Sequence, residues 1–169
     1  MATLIRMIDR LSSMAATLAA AIVVYMVAHI GLEIVMRSVF NTSTFVTEEF
    51  VGFAVAAASF LALGEALRKE RLIRIGLLVS RLPRMGRIIS FLLIAVIGWA
   101  TIGFLASYIW RTLVRDFTRG TLSTSIAEVP IWIPTSFVFA GLVIFLLQLC
   151  AEVLRTLTPG STSPRHPEV

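Results

Sequence analysis

The stretch IISFLLIAVIGWATIGFLASYIW, residues 88–110, decides the fold class of this chain, because it contains no charged side chain. An α-helix rises 1.5 Å per residue, so about 20 apolar residues cross the roughly 30 Å hydrocarbon core of a bilayer. The stretch VPIWIPTSFVFAGLVIFLLQLCA, residues 129–151, likewise has no charged side chain. Both stretches are predicted to be transmembrane helices.

Two segments nearer the start of the chain have a similar character. LSSMAATLAAAIVVYMVA, residues 11–28, is uncharged, and we expect its helix to continue through His29 and Glu33 to about Met36. Its apolar core is longer than that of a signal peptide, so an uncleaved first helix is predicted. Residues 47–67 form the remaining apolar segment.

Composition favours the membrane class as well. Hydrophobic residues make up 57% of the 169 residues, above the roughly 45–50% of soluble domains. We predict an all-α integral membrane protein with four transmembrane helices in a single four-helix membrane domain over residues 1–169. The predicted spans are about 11–36, 47–67, 88–110 and 129–151, and residues 156–169 are predicted to be a disordered C-terminal tail.

The charges of the loops predict the orientation. Residues 68–87 carry seven basic side chains and one acidic one, a net charge of +6, whereas residues 37–49 carry −1 and residues 111–128 carry +1. Cytoplasmic loops collect Lys and Arg, so both termini and the 68–87 loop are predicted to be cytoplasmic. Topology thus explains the basic balance, and no nucleic-acid partner is expected. The basic residues of the central loop are Arg68, Lys69, Arg71, Arg74, Arg81, Arg84 and Arg87.

In the same loop, basic residues alternate with apolar ones in RKERLIRIGLLVSRLPRMGR, residues 68–87. This spacing predicts a basic amphipathic segment between the second and third spans that lies on the lipid bilayer. An ordinary basic loop is the alternative. Pro83 would end the segment and begin the turn into the third span.

A polar stripe is predicted in the first span. His29, Glu33 and Arg37 lie at i, i+4 and i+8, so they share one helix face. The stripe has two interpretations: a proton relay, or an ion pair of Glu33 with Arg37 or with a lipid headgroup near the membrane boundary. Glu65, near the end of the second span, is expected to pair with Arg68 or Lys69.

Two adjacent carboxylates, Glu48 and Glu49, begin the second span. Thr47 is predicted to cap this helix, and acidic residues in a first turn are favoured by the helix dipole. Adjacent residues point about 100° apart on a helix, so the pair makes a poor cation cage. A further interpretation is that one carboxylate contacts a partner while the other faces water.

The order of these elements resembles the small membrane subunit of tripartite ATP-independent periplasmic (TRAP) transporters, the DctQ type. The similarity covers nearly the whole chain. It rests on R-x-x-F-N at Arg37, Phe40 and Asn41, the pair Glu48 and Glu49, LGEALR at 63–68, RLP at 81–83, STSIAEVPIWIP at 123–134, and Gln148. Leu72 and Gly76 stand where family members often have His and Asp.

The resemblance implies a multi-pass protein of the bacterial inner membrane that works with two partners. A large TRAP membrane subunit would hold the substrate and sodium sites and perform elevator-type motion. A periplasmic substrate-binding protein would deliver an organic anion, typically a carboxylate. The small subunit would widen the fixed scaffold of the large one. The candidate partner-interface residues are Arg37, Glu48, Glu49, Trp132 and Gln148.

Other classes of function are less well supported by the residues. A small four-helix multidrug exporter would use a glutamate in its first helix, and Glu33 is the candidate. A non-catalytic anchor subunit of another complex is a second alternative, but a haem-bearing anchor needs axial ligands, and His29 is the one histidine in a predicted span. The sequence contains no Ser/His/Asp, Cys/His or metal-ligand pattern, so neither an enzyme, a metal site nor a cofactor is predicted.

Overall fold

The computed structural model describes residues 2–69 and 84–157, and it consists of four long helices. Each helix is long and apolar enough to cross a membrane. The predicted all-α architecture with four spans is therefore confirmed. The helices are α1 (Ala2–Phe40), α2 (Thr47–Arg68), α3 (Arg84–Arg119) and α4 (Trp132–Leu157).

Three helices differ in their bounds from the predicted spans. Helix α1 begins well before residue 11, α3 continues past Trp110 to Arg119, and α4 begins at Trp132 and reaches Leu157. Hydropathy marks only the part of a helix that lies in lipid, whereas a helix continues until its backbone is broken. Breaks of this kind follow α1 and α3, where Asn41 has φ 49° and Gly120 has φ 58°, the left-handed conformation that commonly ends helices.

Helix α2 lies between α1 and α4, which also contact each other, whereas α3 packs mainly against α4. Small residues allow this close packing. A Cβ atom at Gly141 of α4 would lie 2.5 Å from the carbonyl carbon of Phe60 and 2.9 Å from the backbone nitrogen of Leu61. Helix pairs in membranes use small residues in this way, because lipid offers no hydrophobic drive for association.

The core between α1, α2 and α4 is formed by small and branched side chains. Its buried members are Ala15, Ala19, Ala58, Leu61 and Ile144. A second cluster joins α3 to the bundle through Leu67, Ala95 and Leu149.

Aromatic pairs hold the other end of α3 against α4. The ring centroids of Trp110 and Phe139 are 5.1 Å apart, and those of Phe117 and Trp132 are 5.5 Å apart in an edge-to-face arrangement. Both spacings lie in the range where aromatic pairs attract each other. The outer face of α3 is open, and Phe104 on this face is 75% exposed.

The α3–α4 connection is a compact loop closed by backbone hydrogen bonds. The Ser123 N–H donates to the Val129 carbonyl oxygen at 2.9 Å, and the Ile131 N–H donates to that of Thr121 at 3.1 Å. Glu128 takes a left-handed backbone with φ 45° at the turn of this loop.

Several sequence predictions lie outside the described residues. They concern the amphipathic segment with Arg71, Arg74 and Arg81, the replacements Leu72 and Gly76, and the tail from residue 158 onward. Residues 156 and 157, predicted to begin that tail, belong to α4 instead. Arg84 and Arg87 lie in the first turns of α3.

Candidate functional site

A carboxylate near the end of α1 gathers the α1–α2 loop around itself. Glu33 is buried and accepts hydrogen bonds from Arg37 Nε at 2.7 Å, Ser43 Oγ at 2.5 Å and Thr44 Oγ1 at 2.6 Å. The Thr44 N–H and Thr47 Oγ1 also donate to it, each at 3.1 Å. We call Glu33, Arg37, Ser43, Thr44 and Thr47 the Glu33 clamp. It contains the expected Glu33–Arg37 ion pair.

The clamp holds a loop whose backbone is unusual for its residues. Phe45 has φ 58°, a conformation that costs energy for a bulky side chain, and its N–H donates to Ser43 Oγ at 3.1 Å. The expectation that Thr47 caps α2 is corrected here. The N-cap residue is Val46, and it makes no side-chain cap bond. The Thr47 hydroxyl donates to Glu33 instead, because α2 has already begun at this residue.

His29 lies on the same face of α1 but outside the clamp. Its ring stacks on Tyr25 with centroids 5.6 Å apart and meets Phe50 of α2 at 6.0 Å. Its Nε2 atom is buried and has no hydrogen-bond partner among the described residues. Within the described chain, the predicted stripe is therefore divided into an aromatic contact at His29 and an ion pair at Glu33 and Arg37.

The two carboxylates at the start of α2 have different surroundings. Glu48 is exposed, whereas Glu49 is half-buried and accepts a hydrogen bond from Ser125 Oγ in the α3–α4 loop. Ser125 is itself held in place, because its N–H donates to Ser123 Oγ at 3.2 Å. Glu49 thus ties the start of α2 to the loop that precedes α4.

Gln148, predicted at the partner interface, lies inside the bundle, and that prediction is corrected. Its side chain is 0% exposed. It accepts a hydrogen bond from Ser12 Oγ at 3.0 Å and donates from Nε2 to Asp9 Oδ1 at 3.2 Å. Asp9 also accepts from Arg155 at 2.5 Å. A buried amide with partners on α1 joins α1 to α4 and offers no surface to another subunit.

The end of α2 is joined to α1 through a second buried carboxylate. Glu65 binds Arg68 at 2.6 Å and Lys69 at 3.0 Å, so both partners considered in the sequence are present. Ser13 of α1 donates to Glu65 at 3.4 Å, and Arg68 donates to the Ser13 hydroxyl at 3.0 Å. We call the two carboxylates Asp9 and Glu65, with their partners, the N-terminal polar network.

The remaining predicted interface residues lie at the surface or close to it. The Arg37 side chain is bonded to Glu33 and is still 61% exposed. Trp132 is half-buried and packs against Phe117. Arg37 and Glu48 are therefore accessible, whereas Glu49 and Trp132 pack largely within the chain. Whether a partner covers them stays a prediction.

Sequence reasoning missed Asp9, Ser12 and Arg155, which complete the N-terminal polar network. A signal was present for Ser12, because Ser12, Ala15 and Ala19 recur at i, i+3 and i+7 and form a narrow face of small residues. Arg155 lies at the far end of α4, and no spacing within one helix indicates its contact with Asp9.

No group of three or more His, Cys, Asp or Glu side chains suited to a metal ion occurs among the described residues. The polar groups described above bind one another within a helix, between helices, and between a helix and a loop. A comparison with family models matches residues 26–158 to the DctQ component of tripartite ATP-independent periplasmic transporters. The chain belongs to this DctQ family. A search of curated proteins found no match.

Membership of the DctQ family makes the chain a small membrane subunit of a TRAP transporter, a multi-pass protein of the inner membrane. The matched region begins in the middle of α1 and ends just after α4, so it includes the Glu33 clamp, the Glu49–Ser125 contact and Gln148. The family is a transporter component and not an enzyme family.

Proposed function

We propose that this DctQ subunit scaffolds the large membrane subunit of its transporter for the uptake of an organic acid that a periplasmic binding protein delivers. In this proposal the large subunit carries the substrate and sodium sites and moves between its two states. The observation that carries the proposal is the bonding of the carboxylates inside the small subunit. Glu33 and Glu65 both lie within candidate spans and bind partners of the same chain.

Ionisable groups inside a membrane usually mark proton relays and ion pathways, where they change partners during the cycle. Glu33 accepts five hydrogen bonds from the clamp, and Glu65 is shared by two cations and a serine. A change of charge at either site would break contacts between helices. The arrangement therefore favours a rigid support over an ion route, and it also argues against the exporter function considered for Glu33.

The partner interface is proposed to include the accessible predicted residues Arg37 and Glu48. Both lie at the end of the bundle where α1 and α2 are connected. Glu49 and Trp132 would act indirectly, because they fix the α3–α4 loop and the start of α4 beside that surface. We expect basic or polar groups of the large subunit to face Glu48.

The orientation of the chain is proposed from its charges. With the strongly basic 68–87 loop in the cytoplasm, both termini are cytoplasmic and the Glu33 clamp faces the periplasm. Reporter fusions after Arg10, Gly76 and Gly160 should then report the cytoplasm, and fusions after Ser43 and Gly120 the periplasm. A periplasmic signal from the Gly76 fusion would refute this orientation.

A deletion experiment tests the proposed role. Cells that lack this subunit but keep the large subunit and the binding protein should lose uptake of the solute that the complete system carries, and a plasmid copy should restore it. The isolated subunit should give no calorimetric signal with that solute. Specific solute binding to the isolated subunit, or full uptake without it, would overturn the proposal.

A further inference from the structure

A groove of about 510 Å³ opens where the start of α1 meets the end of α2. It lies at the end of the bundle opposite the Glu33 clamp, beside the N-terminal polar network. Its lining residues are Arg6, Asp9, Arg10, Ser13, Met14 and Arg68. Three arginines against one aspartate give this lining a net charge of +2.

The acidic groups beside the groove are outnumbered by basic ones. Asp9 and Glu152 share Arg155, and Glu65 binds both Arg68 and Lys69. Together with Arg6 and Arg10 of the lining, these groups leave a net charge of +2. Asp9 accepts hydrogen bonds from Arg155 at 2.6 and 2.5 Å and from Gln148 at 3.2 Å. Arg68 is held in a fixed orientation by Glu65 at 2.6 Å and Ser13 at 3.0 Å, with 28% of its side chain exposed. Arg10 is exposed at the rim. The groove thus combines an oriented guanidinium with additional positive charge.

An apolar strip leads away from the groove along α1. Met14 lines the groove and is 70% exposed, and Leu18 and Tyr25 follow with 45% and 49% exposure. Their positions at i, i+4 and i+11 put the three side chains on one face of the helix. A basic groove continued by an apolar strip matches an amphiphile, whereas a free phosphate ion would use the groove alone.

We propose that this groove binds the phosphate headgroup of an anionic diacyl phospholipid, with an acyl chain against the strip from Met14 to Tyr25. Basic pockets between transmembrane helices on the cytoplasmic side are suited to anionic headgroups, and guanidinium groups bind phosphate oxygens in a forked geometry. In the orientation proposed above, the site faces the cytoplasmic leaflet. The bound lipid would bridge α1 and α2 and strengthen their contact.

Native mass spectrometry of the full-length chain in detergent tests the site. The probes are phosphatidylglycerol and, as a zwitterionic comparison with the same acyl chains, phosphatidylcholine. Since an Arg near an anionic lipid surface contributes about 1 kcal/mol, Arg10→Gln should weaken phosphatidylglycerol binding about fivefold. The double variant Arg6→Gln/Arg10→Gln should weaken it by more than that. Arg10→Lys should retain most of the binding, because it keeps the charge.

The control is the double variant Arg111→Gln/Arg119→Gln, which removes the same charge from exposed positions near the opposite end of the bundle. It should bind phosphatidylglycerol like the unaltered chain. Equal losses in the two double variants would overturn the proposal, as would equal binding of the two lipids. If inorganic phosphate displaced bound phosphatidylglycerol as effectively as added phosphatidylglycerol does, the groove would be a simple anion site. That result would also overturn the proposal. If the double variant unfolds, Arg10→Gln alone decides the outcome.

Discussion

Helices α2 and α3 are both apolar enough to span a membrane, yet they have opposite places in the bundle. In the most apolar window of α2, 39% of the residues are buried within the chain, against 11% for α3. Helix α2 is enclosed by α1 and α4, whereas α3 packs mainly against α4 and presents its other faces outward. One apolar helix is thus the centre of the fold, and the other is its edge.

The difference shows what decides the position of a helix in a bilayer. Lipid is as apolar as a leucine side chain, so hydropathy does not separate a helix that faces lipid from one that faces other helices. Small residues and polar contacts separate these two kinds of helix. Helix α2 buries Ala54, Ala57, Ala58 and Gly64 together with the carboxylate of Glu65, whereas α3 exposes large side chains such as Phe104.

The largest effect is expected where α2 and α4 touch. Gly141→Ala puts a methyl group against the backbone of Phe60 and Leu61, at distances that require the helices to separate. Overpacking of this kind costs about 1–3 kcal/mol of unfolding free energy. This loss of unfolding free energy is measured by unfolding the purified chain in mixed detergent micelles with increasing amounts of dodecyl sulfate.

Gly103 on α3 supplies the matched control, because a Cβ atom there meets nothing within 4 Å. Gly103→Ala should leave the unfolding free energy unchanged or raise it by up to about 1 kcal/mol, since alanine favours a helix more than glycine does. Equal destabilisation by the two substitutions would remove the distinction between the centre and the edge.

A smaller difference is expected between buried carboxylates of the two helices. Glu65 of α2 binds Arg68, Lys69 and Ser13, so Glu65→Gln should cost about 1–3 kcal/mol of unfolding free energy. Asp116 of α3 contacts the neighbouring Arg115 at 3.5 Å, and Asp116→Asn should cost less than about 1 kcal/mol. The same unfolding assay compares them, and a larger loss at Asp116 would contradict the comparison.

The adjacent acidic residues that begin α2 are expected to separate stability from assembly. Glu49→Gln weakens the bond to Ser125 and should lower the unfolding free energy by about 0.5–1.5 kcal/mol. Glu48→Gln changes an exposed group and should leave stability unchanged, while it reduces co-purification of the large subunit. Full assembly and uptake in both single variants and in the double variant would refute the interface role.

The smallest effect is expected on the outer face of α3. Trp99 is 52% exposed, so Trp99→Leu should change the unfolding free energy by no more than about 0.5 kcal/mol. A larger loss of stability would place Trp99 in a contact within the bundle. Co-purification of the large subunit with the Trp99→Leu variant indicates whether this face of α3 also contributes to assembly.

The sequence was sufficient to predict the four helices and the Glu33–Arg37 and Glu65–Arg68 pairs. Length, charge and i, i+4 spacing are properties of one segment, and the helical period converts them directly into local contacts. Contacts between distant segments were not predicted. Gln148 was expected at an interface, but its partners Ser12 and Asp9 lie on another helix, and only the packing of α1 against α4 brings them together.

The Glu33 clamp shows the same limit at the other end of the bundle. The ion pair of Glu33 and Arg37 could be predicted from their i, i+4 spacing. The hydrogen bonds from Ser43, Thr44 and Thr47 could not, because they depend on the path of the α1–α2 loop. That path includes a left-handed backbone at Phe45, which no residue preference would have suggested.

Uptake per assembled complex in the Glu33→Gln variant tests most directly whether the buried carboxylates of this subunit support the structure or conduct ions. The variant is purified together with the large subunit, reconstituted into liposomes and supplied with the binding protein, its solute and an imposed sodium gradient. Because Glu33 accepts five hydrogen bonds that hold the α1–α2 loop, we expect less complex but unchanged uptake per complex. A normal yield of complex with uptake abolished would make Glu33 part of the transport path and contradict the scaffold role.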